Sequence, residues 1–90
     1  MEVDAAVSDD GLRPVTVKAL GYLSRRLPGG GPLQLRTPEA GDLSVREAMR
    51  LAGLPDEEVF LVIVNGKRAT LDRVLAPGDE VTFVPPVAGG

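Results

Sequence analysis

Apolar and polar residues begin to alternate at Pro14. Val15, Val17 and Ala19 are apolar with Thr16 and Lys18 between them, the period of a half-buried first strand running to Leu20. Leu27-Pro28-Gly29-Gly30-Gly31-Pro32 reads as a turn, and Leu33-Gln34-Leu35-Arg36 alternates again as the returning arm of a hairpin. After a connection the period changes to that of a helix, with apolar residues at Val45, Ala48, Met49 and Ala52. Ser44 followed by Glu47 is a capping-box signature, expected to satisfy two amides at the helix start. Gly53, Leu54 and Pro55 supply the stop. A short helix between about Ser44 and Ala52 is expected.

Val59 to Val64 is apolar at every position, as in an inner strand. Asn65-Gly66 is a two-residue hairpin signal, and the chain returns through Lys67-Arg68-Ala69. Asp72 to Leu75 reads as a single helical turn, Pro77-Gly78-Asp79-Glu80 as a turn, and Val81 to Val84 as a last strand. Pro85-Pro86 ends that strand, because neither residue has an amide to donate to a ladder. The order strand, strand, helix, strand, strand, strand predicts an α+β fold. It is a mixed sheet of four to five strands with one main helix packed on one face, the β-grasp arrangement that ubiquitin has. Residues 1–13 show no periodicity and are expected to be a disordered lead-in, followed by a domain over 14–86 and a flexible tail over 87–90.

Composition sharpens the picture mainly by exclusion. There is no cysteine and no histidine among the 90 residues. The usual general base, zinc ligand and thiol nucleophile are therefore missing, and an enzyme would have to work through carboxylates, Ser24, Ser44 or Lys18. Net charge is −3, and the arginines are scattered (Arg25-Arg26, Arg36, Arg46, Arg50, Arg68, Arg73) without a basic stripe interleaved with aromatics. That argues against a nucleic-acid partner. Val59 to Val64, the longest apolar run, is far short of a membrane span, and the acidic start Met1-Glu2-Val3-Asp4 is unlike a signal peptide. The expectation is a cytoplasmic protein with no membrane partner.

Two motifs lose to plainer readings. Gly29-Gly30-Gly31 lacks the Lys-Ser or Lys-Thr that a phosphate loop needs, so it reads as a turn. The pairs Glu57-Glu58 and Asp79-Glu80 flank strands at surface turns and read as solvated carboxylates rather than acid–base or metal groups. The tail differs. Pro85-Pro86 biases the chain to an extended conformation, so Val87, Ala88 and Gly89 project from the body. Gly89-Gly90 has no side chains, so a terminal carboxylate there could pass a narrow channel and accept unhindered attack.

The tail Phe83-Val84-Pro85-Pro86-Val87-Ala88-Gly89-Gly90, the hairpin Val64-Asn65-Gly66-Lys67 and the turn Pro77-Gly78-Asp79-Glu80-Val81 together resemble the MoaD/ThiS family. These are the small subunit of molybdopterin synthase and its relatives, sulfur carriers with a β-grasp fold, and the resemblance covers about Val15 to Gly90. The Pro-Pro-Val-x-Gly-Gly ending is nearer the molybdopterin branch than the thiamine branch. The resemblance implies that an E1-like adenylating enzyme uses Mg-ATP to activate the Gly90 carboxylate, after which a persulfide or sulfide displaces AMP and leaves a thiocarboxylate. Catalysis and the ATP site would belong to partners, the chain itself binding no cofactor or metal and acting as carrier rather than enzyme. Pro86, Val87, Ala88 and Gly89 would thread the partner's active site, and the molybdopterin synthase large subunit would receive the sulfur.

Family members bind partners through an apolar patch on the open sheet face. Leu20 and Val84 match patch positions, and by parity they face away from the helix, opposite to Val17, Ala19 and Phe83. Arg68 falls at a third patch position, where the family can carry an apolar residue. Three functions stay open at this point: a sulfur carrier for molybdopterin, thiamine or tRNA thiolation; a protein modifier attached through Gly90; and an interaction module whose Gly-Gly is incidental.

Overall fold

A computed structural model describes residues 13–37 and 42–86. The expected hairpin is present: β1 (Val15–Ala19) pairs antiparallel with β2 (Leu33–Leu35), Val15 opposite Leu35 and Val17 opposite Leu33. Leu20 lies just past β1 rather than within it, since the chain turns there into a 3-10 helix, Gly21–Arg26. That helix and a second short turn, Pro28–Gly30, fill the connection and bury Leu23 and Leu27 in the core. Their spacing carries no strand or α-helix period, so pattern alone did not mark them as core.

The helix α1 spans Val45–Leu51, shorter than expected, with Ser44 and Ala52 as its caps. Ser44 Oγ accepts from the Glu47 amide at 3.1 Å, so half of the capping box forms. The other half does not: the Glu47 carboxylate accepts instead from Arg50, at 3.0 Å. The first two helix amides find backbone acceptors far along the chain, Val45 on the Arg73 carbonyl and Arg46 on the Leu71 carbonyl. At the other end Leu54 donates to Met49 and Gly53, at φ 77°, donates to Arg50, which is the expected left-handed stop.

Those same carbonyls explain a correction. Asp72 to Leu75 is not a helical turn. Leu71 and Arg73 are used to cap α1, and the strand β6 (Val74–Leu75) pairs antiparallel with β3 (Leu43–Ser44) in a separate two-stranded sheet. A local helix would have required the carbonyls that the distant amides occupy. The inner strand is also shorter than expected. Asp56–Glu58 is a 3-10 turn, and β4 begins at Leu61 and ends at Val64, with Phe60 outside it and 64 % exposed.

β4 turns at Asn65-Gly66, both at positive φ, into β5 (Lys67–Ala69). The last strand β7 (Glu80–Val84) inserts between β1, with which it is parallel, and β4, with which it is antiparallel. The main sheet therefore runs β2-β1-β7-β4-β5. One face, carrying Val15, Val17, Val62, Val64, Val81 and Phe83, buries against Val45, Ala48 and Met49 of the helix in a single core. A mixed five-stranded sheet crossed by one main helix is the β-grasp fold.

Candidate functional site

The central position of β7 decides where the tail leaves. Phe83 is fully buried, and the Val84 carbonyl accepts from the Phe60 amide at 2.7 Å on one side. On the other, the Phe83 carbonyl accepts from Leu20 at 3.0 Å. Both flanking chains thus extend the ladder to the last strand residue. Pro85 follows, half-buried, with its ring beside Gly21, where an added Cβ would sit 3.5 Å from Pro85 Cγ. Pro86 is exposed. Val87, Ala88, Gly89 and Gly90 lie outside the described residues, as does the lead-in before Arg13.

The open face of the sheet carries the other parity, and Leu20 and Val84 fall on it as neighbours. Leu20 is 49 % exposed, and Val84 is half-buried opposite Leu61. Leu20, Val84 and Leu61 make an apolar row at the base of the tail. Arg68 is on the same face but apart from that row, opposite Ile63 on the edge strand β5. Farther from the tail the face turns polar, with Thr16, Gln34 and a Lys18–Glu80 ion pair. Arg68 has no ion pair among the described residues.

Two exposed aromatic side chains at the tail end were not foreseen as site residues: Phe60, just before β4, and Tyr22, 44 % exposed, which lines a hollow with Arg26, Gly53 and Glu58 beside the C-terminal end of α1. Phe60 was hidden inside an apolar run read as strand; the acidic Asp56-Glu57-Glu58 just before it was the available signal that the strand starts later. A shallow cavity of about 200 Å³ opens between Phe60, Leu61, Arg68 and Leu71.

Carboxylates read as solvated turn out to be tied. Glu58 accepts both hydrogen bonds of a forked pair from Arg26, at 3.0 and 2.9 Å, and this raises the Arg26 pKa further. Asp79 accepts from the Ala76 amide and from the Asn65 side chain, each at 2.9 Å, while the Asn65 carbonyl oxygen takes the Glu80 amide. Burial works to raise the Asp79 pKa, yet the Ala76 and Asn65 hydrogen bonds and the charge of Arg73 outweigh it and hold the carboxyl below its usual range. The Asn65–Asp79 group staples the turns at the end of the sheet away from the tail, whereas the Arg26–Glu58 pair ties the 3-10 helix after β1 to the turn before β4, at the tail end. Among the described residues no cluster of three or more Asp or Glu is arranged to hold a metal, and no helix is long and apolar enough to cross a membrane.

The fold is shared with known ubiquitin-like proteins. SAMP1 from Haloferax volcanii is 28 % identical, with a TM-score of 0.61 over 86 % of this chain and 99 % of that one. A protein from Pyrococcus furiosus, described as a candidate molybdopterin converting factor subunit 1, is also 28 % identical, with a TM-score of 0.59 over 83 % of this chain and 99 % of that one. Urm1 from Trypanosoma brucei, at 21 % identity, shares the fold with a TM-score of 0.62 over 89 % and 98 % of the two chains. No curated protein matches by sequence. The model of the ThiS family matches residues 25–90, nearly three-quarters of the chain and including both terminal glycines. The chain belongs to the ThiS family, the ubiquitin-like sulfur carriers and modifiers.

Proposed function

We propose that this protein is a sulfur carrier whose Gly90 carboxylate is adenylated by an E1-like partner and converted to a thiocarboxylate, with molybdopterin synthesis as the pathway it serves. The observation that carries the reading is the family match running through Gly89-Gly90. Support for the pathway comes from the likeness to the Pyrococcus furiosus protein and from the Pro-Pro-Val-x-Gly-Gly ending.

The chemistry asks little of this chain beyond position. A Gly90 carboxylate oxygen attacks the α-phosphorus of Mg-ATP held by the partner, and pyrophosphate leaves. A sulfide sulfur then attacks the acyl carbon and AMP leaves with the bonding electron pair, giving the thiocarboxylate. Where a partner's persulfide attacks instead, the product is an acyl disulfide. A second thiol of that partner then cleaves its S–S bond, releasing the thiocarboxylate and leaving a disulfide on the partner. Pro85 seated beside Gly21 sets the direction of departure, and Leu20, Val84 and Arg68 would meet the partner while Pro86 to Gly89 thread its channel. Catalytic groups come from the partners, the E1-like enzyme and then the large subunit of molybdopterin synthase, so the chain is a carrier and not an enzyme. We place it in the cytoplasm with those partners.

Incubation with the adenylating enzyme, ATP and sulfide should exchange one oxygen for sulfur in the intact mass. Deleting Gly90 leaves a chemically equivalent carboxylate up to about 3.6 Å short of its target. That variant should fold normally yet release no pyrophosphate and gain no sulfur. A shortened chain that gains sulfur at the normal rate would refute the role of Gly90. The likeness to SAMP1, a small archaeal modifier protein, favours one second reading, transfer of Gly90 to a substrate lysine. Slower-migrating conjugates in place of the sulfur-bearing mass would establish it.

A further inference from the structure

The charge of the chain is unevenly placed. Residues 1–12 contain Glu2, Asp4, Asp9 and Asp10 and no lysine or arginine, whereas residues 14–86 carry nine basic and nine acidic residues. The open sheet face has the opposite bias. Lys18 and Arg68 lie on it, and Arg36 continues the parity of Gln34 one residue past β2. Against these three cations stands one acid, Glu80, already paired with Lys18. Neither Arg36 nor Arg68 has an ion pair among the described residues.

Geometry brings the two biases together. The register that sets Val15 opposite Leu35 places Arg36 beside Pro14, where the chain enters the sheet. Leu20 and Val84 lie six residues farther along β1 and at the far end of β7, roughly 20 Å away at strand spacing. Twelve extended residues span up to about 40 Å, enough to cross the face and reach that row. Met1, Val3 and Val7 interrupt the acids with apolar side chains that suit Leu20, Val84 and Leu61.

We propose that the acidic segment 1–12 lies across the open face in cis, its carboxylates meeting Arg36 and Arg68, and covers the apolar row at the base of the tail. A segment too polar to fold alone can still be held by a surface of opposite charge. Attachment at Arg13 makes the encounter intramolecular, at an effective concentration of about millimolar. The segment acts as a competitor that a docking partner must displace. That consequence rests on the proposed function; the contact itself does not.

The absence of cysteine makes a direct test clean, because Ser8→Cys in the full chain puts a nitroxide label at one position. Amide signals of Leu20, Arg68 and Val84 should lose roughly half their intensity or more, while those of Ala48 and Met49 behind the sheet keep theirs. In 1 M salt, with a screening length of about 3 Å, the loss should vanish. It should vanish also when Glu2→Gln, Asp4→Asn, Asp9→Asn and Asp10→Asn are combined. Equal broadening on sheet and helix, or broadening indifferent to salt and charge, overturns the proposal. Broadening of an unlabelled copy by a labelled one, lost on dilution, also overturns it, placing the contact between two molecules. With the adenylating enzyme, the neutralised variant should show a several-fold lower KM at unchanged kcat. If Gly90 is never adenylated, the proposed function fails while the label result still decides the contact.

Discussion

The two ends of the main sheet are built on different physics. Where the Asn65-Gly66 hairpin meets the turn before β7, polar groups satisfy one another: Asn65 bridges Asp79 and the Glu80 amide, and Asp79 also holds Ala76. At the tail end the backbone ladder is complete, but Leu20, Tyr22 and Phe60 stay exposed around it. The first end is closed on itself. The second is held by the buried face and by the Arg26–Glu58 pair, so side chains on its open face can serve other contacts at little cost to folding.

The largest effect should separate the two faces at the tail end. Phe83→Ala removes a fully buried ring and should cost about 3–5 kcal/mol, whereas Val84→Ala, one residue on, should cost at most about 1 kcal/mol. Urea denaturation measures both, and similar costs would mean the open face contributes to the core. At the closed end, Asn65→Ala should cost about 2–3 kcal/mol, losing two side-chain hydrogen bonds and forcing alanine to φ 51°. Asn65→Gly, which accepts that φ, should recover about half of it. No recovery would assign the whole cost to the hydrogen bonds.

Acid should act on the closed end through Asp79. The Asp79 pKa is lowered by folding, so its stabilisation is complete above the ordinary aspartate value of about 3.9 and is lost as pH falls through the lower folded value. Urea midpoints followed into acid should fall less steeply for Asp79→Asn than for the parent below about pH 4. An unchanged slope would show that other carboxylates dominate. The smallest effect belongs to neither end and calibrates both: Ser44→Ala should cost about 1 kcal/mol through the lost cap of α1. Since half of the capping box does not form, Glu47→Ala should cost less.

Legibility followed the range of the interaction. The helix could be read because Ser44, Gly53 and Pro55 act within a few residues of one another, and the β5 hairpin because Asn-Gly accepts positive φ locally. The fold class followed from element order, and the face of Leu20 and Val84 from a period of two. Of the candidate site, the residues of the tail base could be named, but not Phe60 and Tyr22, whose exposure depends on where neighbouring strands begin and end.

What the sequence determined by itself is therefore the local type of β1, β2, α1, β4, β5 and β7, the two faces of those strands and the glycine tail, all properties of backbone preference and side-chain period. The tertiary structure decided the rest. It set β7 between β1 and β4, diverted Asp72 to Leu75 from helix to strand, and turned Glu58 and Asp79 from solvated acids into staples. In each case the deciding partner lies far along the chain: Leu71 and Arg73 carbonyls for the amides of α1, Arg26 for Glu58, Asn65 for Asp79. A buried or half-buried polar group takes whichever partner the fold brings near, and no local pattern records which that will be.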